Sequence, residues 1–263
     1  MSNKPLKIAI SGKGGVGKTS VAGMLIRHLA SFGTRVIAVD ADPVASLGAA
    51  LGVPDYDKIE PVVSMNDLIF ERTGAKPGTM GGFFKMNPKV DDIPERFAAV
   101  KDNIHLLVMG TVDHGGSGCV CPESVILKAL VTHLSLFQND ALVMDMEAGV
   151  EHLGRATTKG IDLMLVVVEP GSRSINAARM IKKLASDIGL DHVAIVANKV
   201  RGDDDKRAIE KSLPDFPILG YLPYEPKLVE ADLAGEVVFP DSFPEHVQKV
   251  LDSIVDFASS PDP

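Results

Sequence analysis

The sequence has few cysteines and no long apolar run. Its 263 residues include two cysteines, too few for the disulfide framework of a small secreted domain. No charged segment followed by an apolar stretch and a cleavage site precedes the first apolar run, so no secretory signal is recognised. The longest apolar runs, such as 163–168, are far below the ~18–20 residues of a membrane helix. We therefore expect a cytoplasmic protein with reduced thiols, no transmembrane segment and no membrane partner.

Positive charge is also scarce. The chain has 27 Lys and Arg against 35 Asp and Glu, a formal net charge of −8, and its basic residues are scattered. An acidic chain repels phosphate backbones, and a nucleic-acid-binding protein needs a basic patch or stripe. We therefore expect no nucleic-acid partner.

Short runs rich in Val, Ile and Leu alternate with helix-like segments. Strands that are apolar on both faces are typical of a parallel sheet covered by helices, and regular alternation favours a doubly wound fold. The fold class predicted is α/β, with a doubly wound, mostly parallel sheet flanked by helices. The predicted strands are 7–11, 35–40, 104–110, 141–145, 162–169, 193–198 and 218–222. The predicted helices are 18–31, 123–137, 174–188, 204–213 and 243–258.

One section interrupts this alternation. Residues 52–103 are rich in proline and glycine, which punctuate regular structure. We predict a single domain over 1–258, with an irregular insertion at about 52–103 that contains a short helix or two. Residues 259–263 are expected to form a disordered tail.

The motif G-x-x-x-x-G-K-[ST] occurs at residues 12–19, after an apolar strand and at the start of a helix. In this motif backbone N–H groups surround phosphate oxygens, the lysine offsets charge on the β- and γ-phosphates, and the hydroxyl binds Mg²⁺. The motif predicts a P-loop NTPase that binds nucleotide through Gly14, Gly15, Val16, Gly17, Lys18, Thr19 and Ser20, with Lys18 also catalytic.

A dinucleotide site is the competing interpretation of these glycines. Gly12, Gly14 and Gly17 also satisfy G-x-G-x-x-G, and Asp40 lies downstream, as a dinucleotide fold requires. The pair Lys18-Thr19 decides between the two, because a triphosphate with Mg²⁺ needs both side chains and a dinucleotide needs neither.

The early lysine of the loop, Lys13, is an addition to the general motif. The run Lys-Gly-Gly-Val-Gly-Lys-Thr at 13–19 resembles the deviant Walker A signature of the MinD, ParA and nitrogenase-iron-protein group of ATPases. The resemblance implies a nucleotide-sandwich homodimer in which Lys13 acts catalytically on the partner's phosphates. Such a cation would act like an arginine finger; the alternative is a solvated loop lysine.

Carboxylates follow two of the predicted strands. Asp40 and Asp42 lie in the run Val-Asp-Ala-Asp-Pro at 39–43, and Asp145 ends the run 141–145. The resemblance implies that Asp42 is catalytic, near Mg²⁺ and the attacking water, and that Asp145 is the Walker B aspartate. It assigns Mg²⁺ to Thr19, Asp42 and Asp145 and the switch to Asp40 and Gly149. Each aspartate, taken alone, could equally be a helix cap or a solvated turn, and Glu147 could be only a surface carboxylate.

The nucleotide base is assigned from the same resemblance. In MinD-like relatives an asparagine of an Asn-Lys pair and residues after the last strand contact adenine, which implies Asn198, Pro223 and Tyr224 here. The run Asn-Lys-Val-Arg at 198–201 lacks the aspartate of a guanine-binding motif. ATP is therefore favoured over GTP.

Both cysteines, Cys119 and Cys121, lie in the glycine-rich run 115–122. Two thiols two residues apart can bind one soft metal ion but leave it short of ligands, whereas a two-fold dimer supplies four thiolates. Four thiolates suit Zn²⁺, or Ni²⁺ in flattened geometry, and the spacing does not choose between them. The alternatives are buried inert cysteines or a redox pair. His114 could join the site or be a solvated loop residue.

Taken together, the motifs closely resemble the CooC family, the nickel-insertion accessory ATPases of carbon monoxide dehydrogenase maturation. The resemblance covers nearly the whole chain and depends on residues 12–19, 39–43, 115–121 and 145–153. It implies an ATP-dependent homodimer that holds a metal ion between two C-x-C motifs and delivers nickel to carbon monoxide dehydrogenase. Composition and spacing alone reach only an ATPase with an intersubunit thiolate metal site.

Two other functions stay open. A MinD- or ParA-type positioning or partitioning switch would bind membrane or nucleoid, but the helix predicted at 243–258 has Lys249 as its only Lys or Arg, and an anionic membrane would repel it. An iron–sulfur ATPase carrier or reductase could use the same cysteines, although the iron–sulfur relatives bind their cluster through cysteines that are far apart in sequence.

Overall fold

The structure, a computed structural model, describes residues 5–42, 44–75, 85–110, 122–133, 136–137, 139–147 and 160–260. These residues form eight strands: β1 (Leu6–Ser11), β2 (Arg35–Ala41), β3 (Ala99–Lys101), β4 (Ile104–Val108), β5 (Asp140–Met146), β6 (Leu163–Val168), β7 (Val193–Val200) and β8 (Ile218–Pro223). Nine α-helices accompany them in the same described ranges: α1 (Lys18–Ser31), α2 (Leu47–Leu51), α3 (Asn66–Thr73), α4 (Ile93–Phe97), α5 (Pro122–His133), α6 (Ser172–Asp187), α7 (Asp203–Ser212), α8 (Pro226–Ala234) and α9 (Glu245–Ser259).

All eight strands form one sheet, in the order β3-β4-β2-β5-β1-β6-β7-β8. Neighbouring strands are parallel except β3 and β4, which are antiparallel. The predicted α/β class with a mostly parallel, helix-flanked sheet is therefore confirmed. Over the described ranges, no helix combines the length and the apolar character that crossing a bilayer requires.

Helices cover both faces of the sheet, and each face has its own apolar core. On β6, Met164, Val166 and Val168 belong to the core that also includes residues of α3, α4, α5, α6 and α7. The alternate residues of β6 point to the core formed with α1, α2 and α9. Because successive side chains of a strand point to opposite faces, both sets must be apolar, which explains the continuous apolar runs of the sequence.

The structure extends the predicted element list. Helix α8 was not predicted, and β3 is a three-residue edge strand within the section 52–103. In the same section Leu68, Ile69 and Ile93 are buried in the core of one face. Helix α9 begins at Glu245, after Pro244, rather than at Phe243, because a residue that precedes proline is disfavoured in helical conformation.

Candidate functional site

The carboxyl ends of five adjacent strands converge on the predicted nucleotide site. In the order β2, β5, β1, β6 and β7, these ends bear Asp40, Asp145, the P-loop, Glu169 and Asn198, respectively. The carboxyl edge of an open parallel sheet is where ligands bind in doubly wound folds. The topology thus gathers residues that are far apart in sequence.

The P-loop has the geometry that its glycines allow. Gly17 precedes α1 with φ +93°, and a Cβ there would lie 2.4 Å from Nδ2 of Asn198. A Cβ on Gly12 would lie 2.4 Å from the carbonyl oxygen of Val167 in β6. Gly14 and Gly15 are exposed, whereas Lys18 is buried. The loop therefore packs directly on the ends of β6 and β7, while Gly14 and Gly15 stay exposed.

Asp145 is a fully buried carboxylate, and within the described residues neither of its oxygens has a hydrogen-bond partner. Burial is the main cause that raises the pKa of Asp145 to about 7, and the carboxylates of Asp40 and Asp42 add to the shift. The Thr19 hydroxyl and the Lys18 ammonium lie close enough to oppose it. This electrostatic environment favours a cation beside Asp145.

Asp40 organises the loop that contains Asp42. Its Oδ2 accepts hydrogen bonds from the backbone N–H of Ser46 and of Leu47, each at 2.9 Å, and its Oδ1 accepts one from Asp42 at 3.2 Å. Burial raises the pKa of Asp40, and these three hydrogen bonds oppose the rise. The Ser46 hydroxyl lies 3.4 Å from that of Thr19, so the loop after β2 reaches the start of α1.

These residues fit a Mg²⁺ ion that binds together with a nucleotide. Mg²⁺ is usually held by one or two protein carboxylates, with waters and phosphate oxygens completing its shell. Asp145 offers two unpaired oxygens and lies beside Thr19. Across the parts of the chain that the structure describes, there is no group of three or more His, Cys, Asp or Glu side chains that could hold a metal ion by themselves. Thr19 and Asp145 are thus suited to a nucleotide-bound Mg²⁺ rather than to a metal held by protein alone, and the role of Asp42 as a magnesium ligand stays a prediction.

Lys13 pairs with a residue that the sequence did not single out. Its Nζ lies 3.5 Å from Oε1 of Glu169 and donates a hydrogen bond to the carbonyl oxygen of Gly14 at 3.2 Å. Oε2 of Glu169 accepts a hydrogen bond from Nζ of Lys199 at 3.2 Å, and Lys199 also donates to the carbonyl oxygen of Gly15. Only the position of Glu169 at the end of a predicted strand could have indicated this contact.

The residues predicted to contact the base lie at the ends of β7 and β8. Asn198 is 3% exposed and donates from Nδ2 to the carbonyl oxygen of Val16 at 2.8 Å. Pro223 pairs with Val200. Tyr224 is 45% exposed, with the guanidinium of Arg201 5.4 Å from its ring centre. The structure brings Asn198 into contact with the P-loop, and contact of the three residues with adenine stays a prediction.

The remaining predicted residues lie outside the described residues. These are Cys119 and Cys121 of the predicted thiolate site, His114 and the switch glycine Gly149. Glu147 is described and exposed, and its carbonyl oxygen accepts a hydrogen bond from the Ser11 hydroxyl at 3.3 Å.

Comparison with known families gives one match over most of the chain. Residues 7–238 match the family CbiA, described as the CobQ/CobB/MinD/ParA nucleotide binding domain.

Curated relatives match most of the chain's length. An ATP-binding protein of Methanocaldococcus jannaschii is 44% identical over 95% of this chain and 98% of its own. The carbon monoxide dehydrogenase accessory protein CooC of Rhodospirillum rubrum is 45% identical over 88% of each chain.

Solved structures agree on the fold. A chain of the MinC:MinD cell division protein complex from Aquifex aeolicus has a TM-score of 0.67 at 22% identity, covering 98% of this chain and 97% of its own. Septum site-determining protein MinD of Pyrococcus horikoshii, solved with Mg-ADP, has a TM-score of 0.65 at 20% identity, covering 97% of this chain and 98% of its own. At these identities the likeness shows the fold alone.

Proposed function

The chain belongs to the CobQ/CobB/MinD/ParA family of nucleotide-binding P-loop ATPases, and we propose that it is a CooC-type accessory factor for carbon monoxide dehydrogenase. In this proposal ATP drives formation of a homodimer that inserts nickel into the dehydrogenase. The R. rubrum relative, 45% identical over 88% of the chain, is named for its accessory role to carbon monoxide dehydrogenase, which supports the assignment.

The observation that supports the ATP-driven step best is the pairing of the P-loop with a buried, unpartnered carboxylate. Asp145 has two oxygens without a partner among the described residues, next to Thr19 and Lys18 at the start of α1. A bound Mg²⁺ would neutralise charge on the phosphates and on Asp145. Hydrolysis needs this neutralisation together with positioned donors.

The chain's own residues then have distinct roles. The backbone N–H groups of 14–20 bind the phosphates, and Lys18 offsets the charge between the β- and γ-phosphates. Asp42 orients the attacking water, while Lys13 reaches the phosphates of the partner protomer and stabilises the charge that develops as the γ-phosphate leaves. Asn198, Pro223 and Tyr224 bind the adenine.

The nickel ion is the cargo of this cycle. Cys119 and Cys121 of each protomer provide four thiolates at the dimer axis, a donor set that binds Ni²⁺ or Zn²⁺. Because closing and opening of the dimer change the distance between the two cysteine loops, metal affinity and nucleotide state are coupled, and the coupling is reciprocal.

The test is metal stoichiometry against oligomeric state. Purified protein is incubated with Ni²⁺ or Zn²⁺ under three conditions: without nucleotide, with ADP and with ATP. Equilibrium dialysis then measures the bound metal, and light scattering measures the molar mass. We expect one metal ion per dimer, with an affinity that depends on the nucleotide. A Cys119→Ala/Cys121→Ala variant should keep its ATPase activity and lose the metal.

Two outcomes would contradict the proposal. Full metal affinity in the double cysteine variant would contradict the thiolate site, and an iron–sulfur absorption band in anaerobically purified protein would favour the iron–sulfur carrier.

Activation of nickel-free carbon monoxide dehydrogenase then tests the recipient: wild type with ATP and Ni²⁺ should restore activity, and the double cysteine variant should not.

A further inference from the structure

Lys13 is bound to its own chain. Its ammonium lies 3.5 Å from Oε1 of Glu169 and donates to the carbonyl oxygen of Gly14 at 3.2 Å. A lysine that acts on the phosphates of a second protomer must first leave these partners. The ion pair with Glu169 therefore opposes the conformation that the proposed dimer needs.

Glu169 is held in place by the fold. It follows the last residue of β6, the strand next to β1, and its backbone N–H donates to the Ser174 hydroxyl in the first turn of α6 at 3.0 Å. The strand and the helix both fix its backbone beside the P-loop. Its side chain is 27% exposed and that of Lys13 is 36% exposed, so the pair is partly screened by water and can open.

A second lysine keeps Glu169 paired when Lys13 leaves. Nζ of Lys199 lies 3.2 Å from Oε2 of Glu169 and also donates to the carbonyl oxygen of Gly15. Lys199 has φ +58°, a left-handed conformation that non-glycine residues adopt at a cost. Each carboxylate oxygen thus faces its own lysine, and release of Lys13 does not strand an unpaired charge.

We propose that Glu169 is a positioning residue that retains Lys13 on its own protomer and releases it when two nucleotide-bound protomers meet. The ion pair thereby limits dimer formation to conditions in which the partner's phosphates offer Lys13 a stronger anion. This inference depends on the proposed function, because it requires that Lys13 acts across a dimer.

The expected size follows from the exposure of the pair. Partly exposed ion pairs change an equilibrium by about 2- to 5-fold. Two pairs open for each dimer formed, so their loss should tighten the dimer by about 4- to 25-fold.

The experiment compares wild type with Glu169→Gln, which keeps the shape of the side chain and removes its charge. Dimer dissociation constants are measured by analytical ultracentrifugation with saturating ATP–Mg²⁺ analogue, and ATPase activity is measured against protein concentration. We expect the variant to dimerise at lower concentration, while turnover per dimer at saturating protein stays within about 2-fold. Glu245→Gln is the matched control, because it removes the exposed pair with Lys249 on α9 and should change nothing.

Adding Lys13→Ala to the wild type and to the Glu169→Gln variant shows whether Glu169 acts through Lys13 or has a merely structural role. If Glu169 acts through Lys13, Glu169→Gln should no longer tighten the dimer in the Lys13→Ala background. The thermal unfolding temperature should change little on Glu169→Gln substitution, and by the same amount with and without Lys13. Equal tightening with and without Lys13 overturns the inference. A wild type that dimerises with ATP while Glu169→Gln is unchanged overturns this inference alone, whereas a wild type that stays monomeric with ATP overturns the proposed function and this inference together.

Discussion

Asp40 and Asp145 lie opposite each other in register on the adjacent strands β2 and β5, and both side chains are fully buried. Asp40 has three backbone N–H donors, whereas the two oxygens of Asp145 have no hydrogen-bond partner within the described residues. One carboxylate thus shapes the loop after β2, and the other is available to a cation. The two aspartates, to which the family resemblance assigned different roles, also differ in what surrounds them.

The first prediction concerns Asp145→Asn and pH. The pKa of Asp145 in the folded chain is about 7, above its ordinary value of 3.8, so the fold disfavours the ionised form. The resulting loss of folding stability is absent below about pH 4, grows as pH rises, and is complete above about pH 7. Each pKa unit corresponds to about 1.4 kcal/mol, which sets an upper limit of ~4 kcal/mol. Urea unfolding of nucleotide-free protein should show Asp145→Asn more stable than wild type at about pH 8, with that advantage lost near pH 4.

The same variant should bind Mg²⁺-nucleotide more weakly, because an amide is a poorer magnesium ligand than a carboxylate. Asp204→Asn is the control, since Asp204 is almost fully exposed in α7 and should leave both properties unchanged. A stability difference between Asp145→Asn and wild type that does not vary with pH would contradict the predicted cost of ionisation.

The second prediction concerns Gly17→Ala. Gly17 has φ +93°, and an added Cβ would lie 2.4 Å from Nδ2 of Asn198, so the variant combines backbone strain with a clash. We expect nucleotide affinity to fall by at least about 10-fold, because the loop and the Asn198 side chain must shift apart. Isothermal titration with ADP–Mg²⁺ measures the change.

Gly33→Ala is the matched control for this substitution. Gly33 follows α1 with φ +80° and has no neighbouring atom within 4 Å of an added Cβ. It should show only the cost of a left-handed alanine, ~1–2 kcal/mol, with nucleotide affinity unchanged. Similar loss of nucleotide binding in both variants would mean that backbone strain, not contact with Asn198, is responsible.

The sequence predicts the central strands well because burial on both faces leaves them continuously apolar, as in the run 163–168. It predicts the P-loop because a local pattern of glycines, Lys18 and Thr19 is itself the binding element. It does not predict the pair of Lys13 with Glu169, because residues 156 positions apart meet only through the strand order β1-β6. Helix α8 is missed because the short run Pro226–Ala234 mixes apolar and charged residues without a distinct helical period.

The third prediction concerns Arg27, far from the nucleotide. Its guanidinium donates to the carbonyl oxygens of Val238, at 2.6 Å, and of Phe239 and Pro240, and it lies 5.1 Å from the ring centre of Phe243. It therefore ties α1 to the segment before α9. Arg27→Ala should lower the free energy of unfolding by about 2 kcal/mol, because the partly buried carbonyl groups of Val238 and Phe239 lose a charged donor.

Chemical unfolding and nucleotide titration of Arg27→Ala test this structural role. Arg207→Ala is the comparison, since Arg207 is largely exposed and pairs only with Asp204 in the described residues; it should change stability by less than ~0.5 kcal/mol. Loss of nucleotide affinity without loss of stability in Arg27→Ala would contradict the assignment.

The last prediction concerns Asn198, the side chain that joins β7 to the P-loop. Its amide donates to the carbonyl oxygen of Val16 at 2.8 Å, and Val16 is fully buried. Truncation in Asn198→Ala leaves that carbonyl oxygen without its donor, which costs ~1–3 kcal/mol. The loss falls on the loop that binds the phosphates, so nucleotide affinity should fall together with stability. Asn176→Ala on the exposed surface of α6 should alter neither.

Comparison of two ligands tests whether adenine also contacts Asn198. If it does, Asn198→Ala should lose more affinity for ADP than for inorganic pyrophosphate, because pyrophosphate reports the P-loop alone. Equal losses for the two ligands would confine Asn198 to supporting the loop.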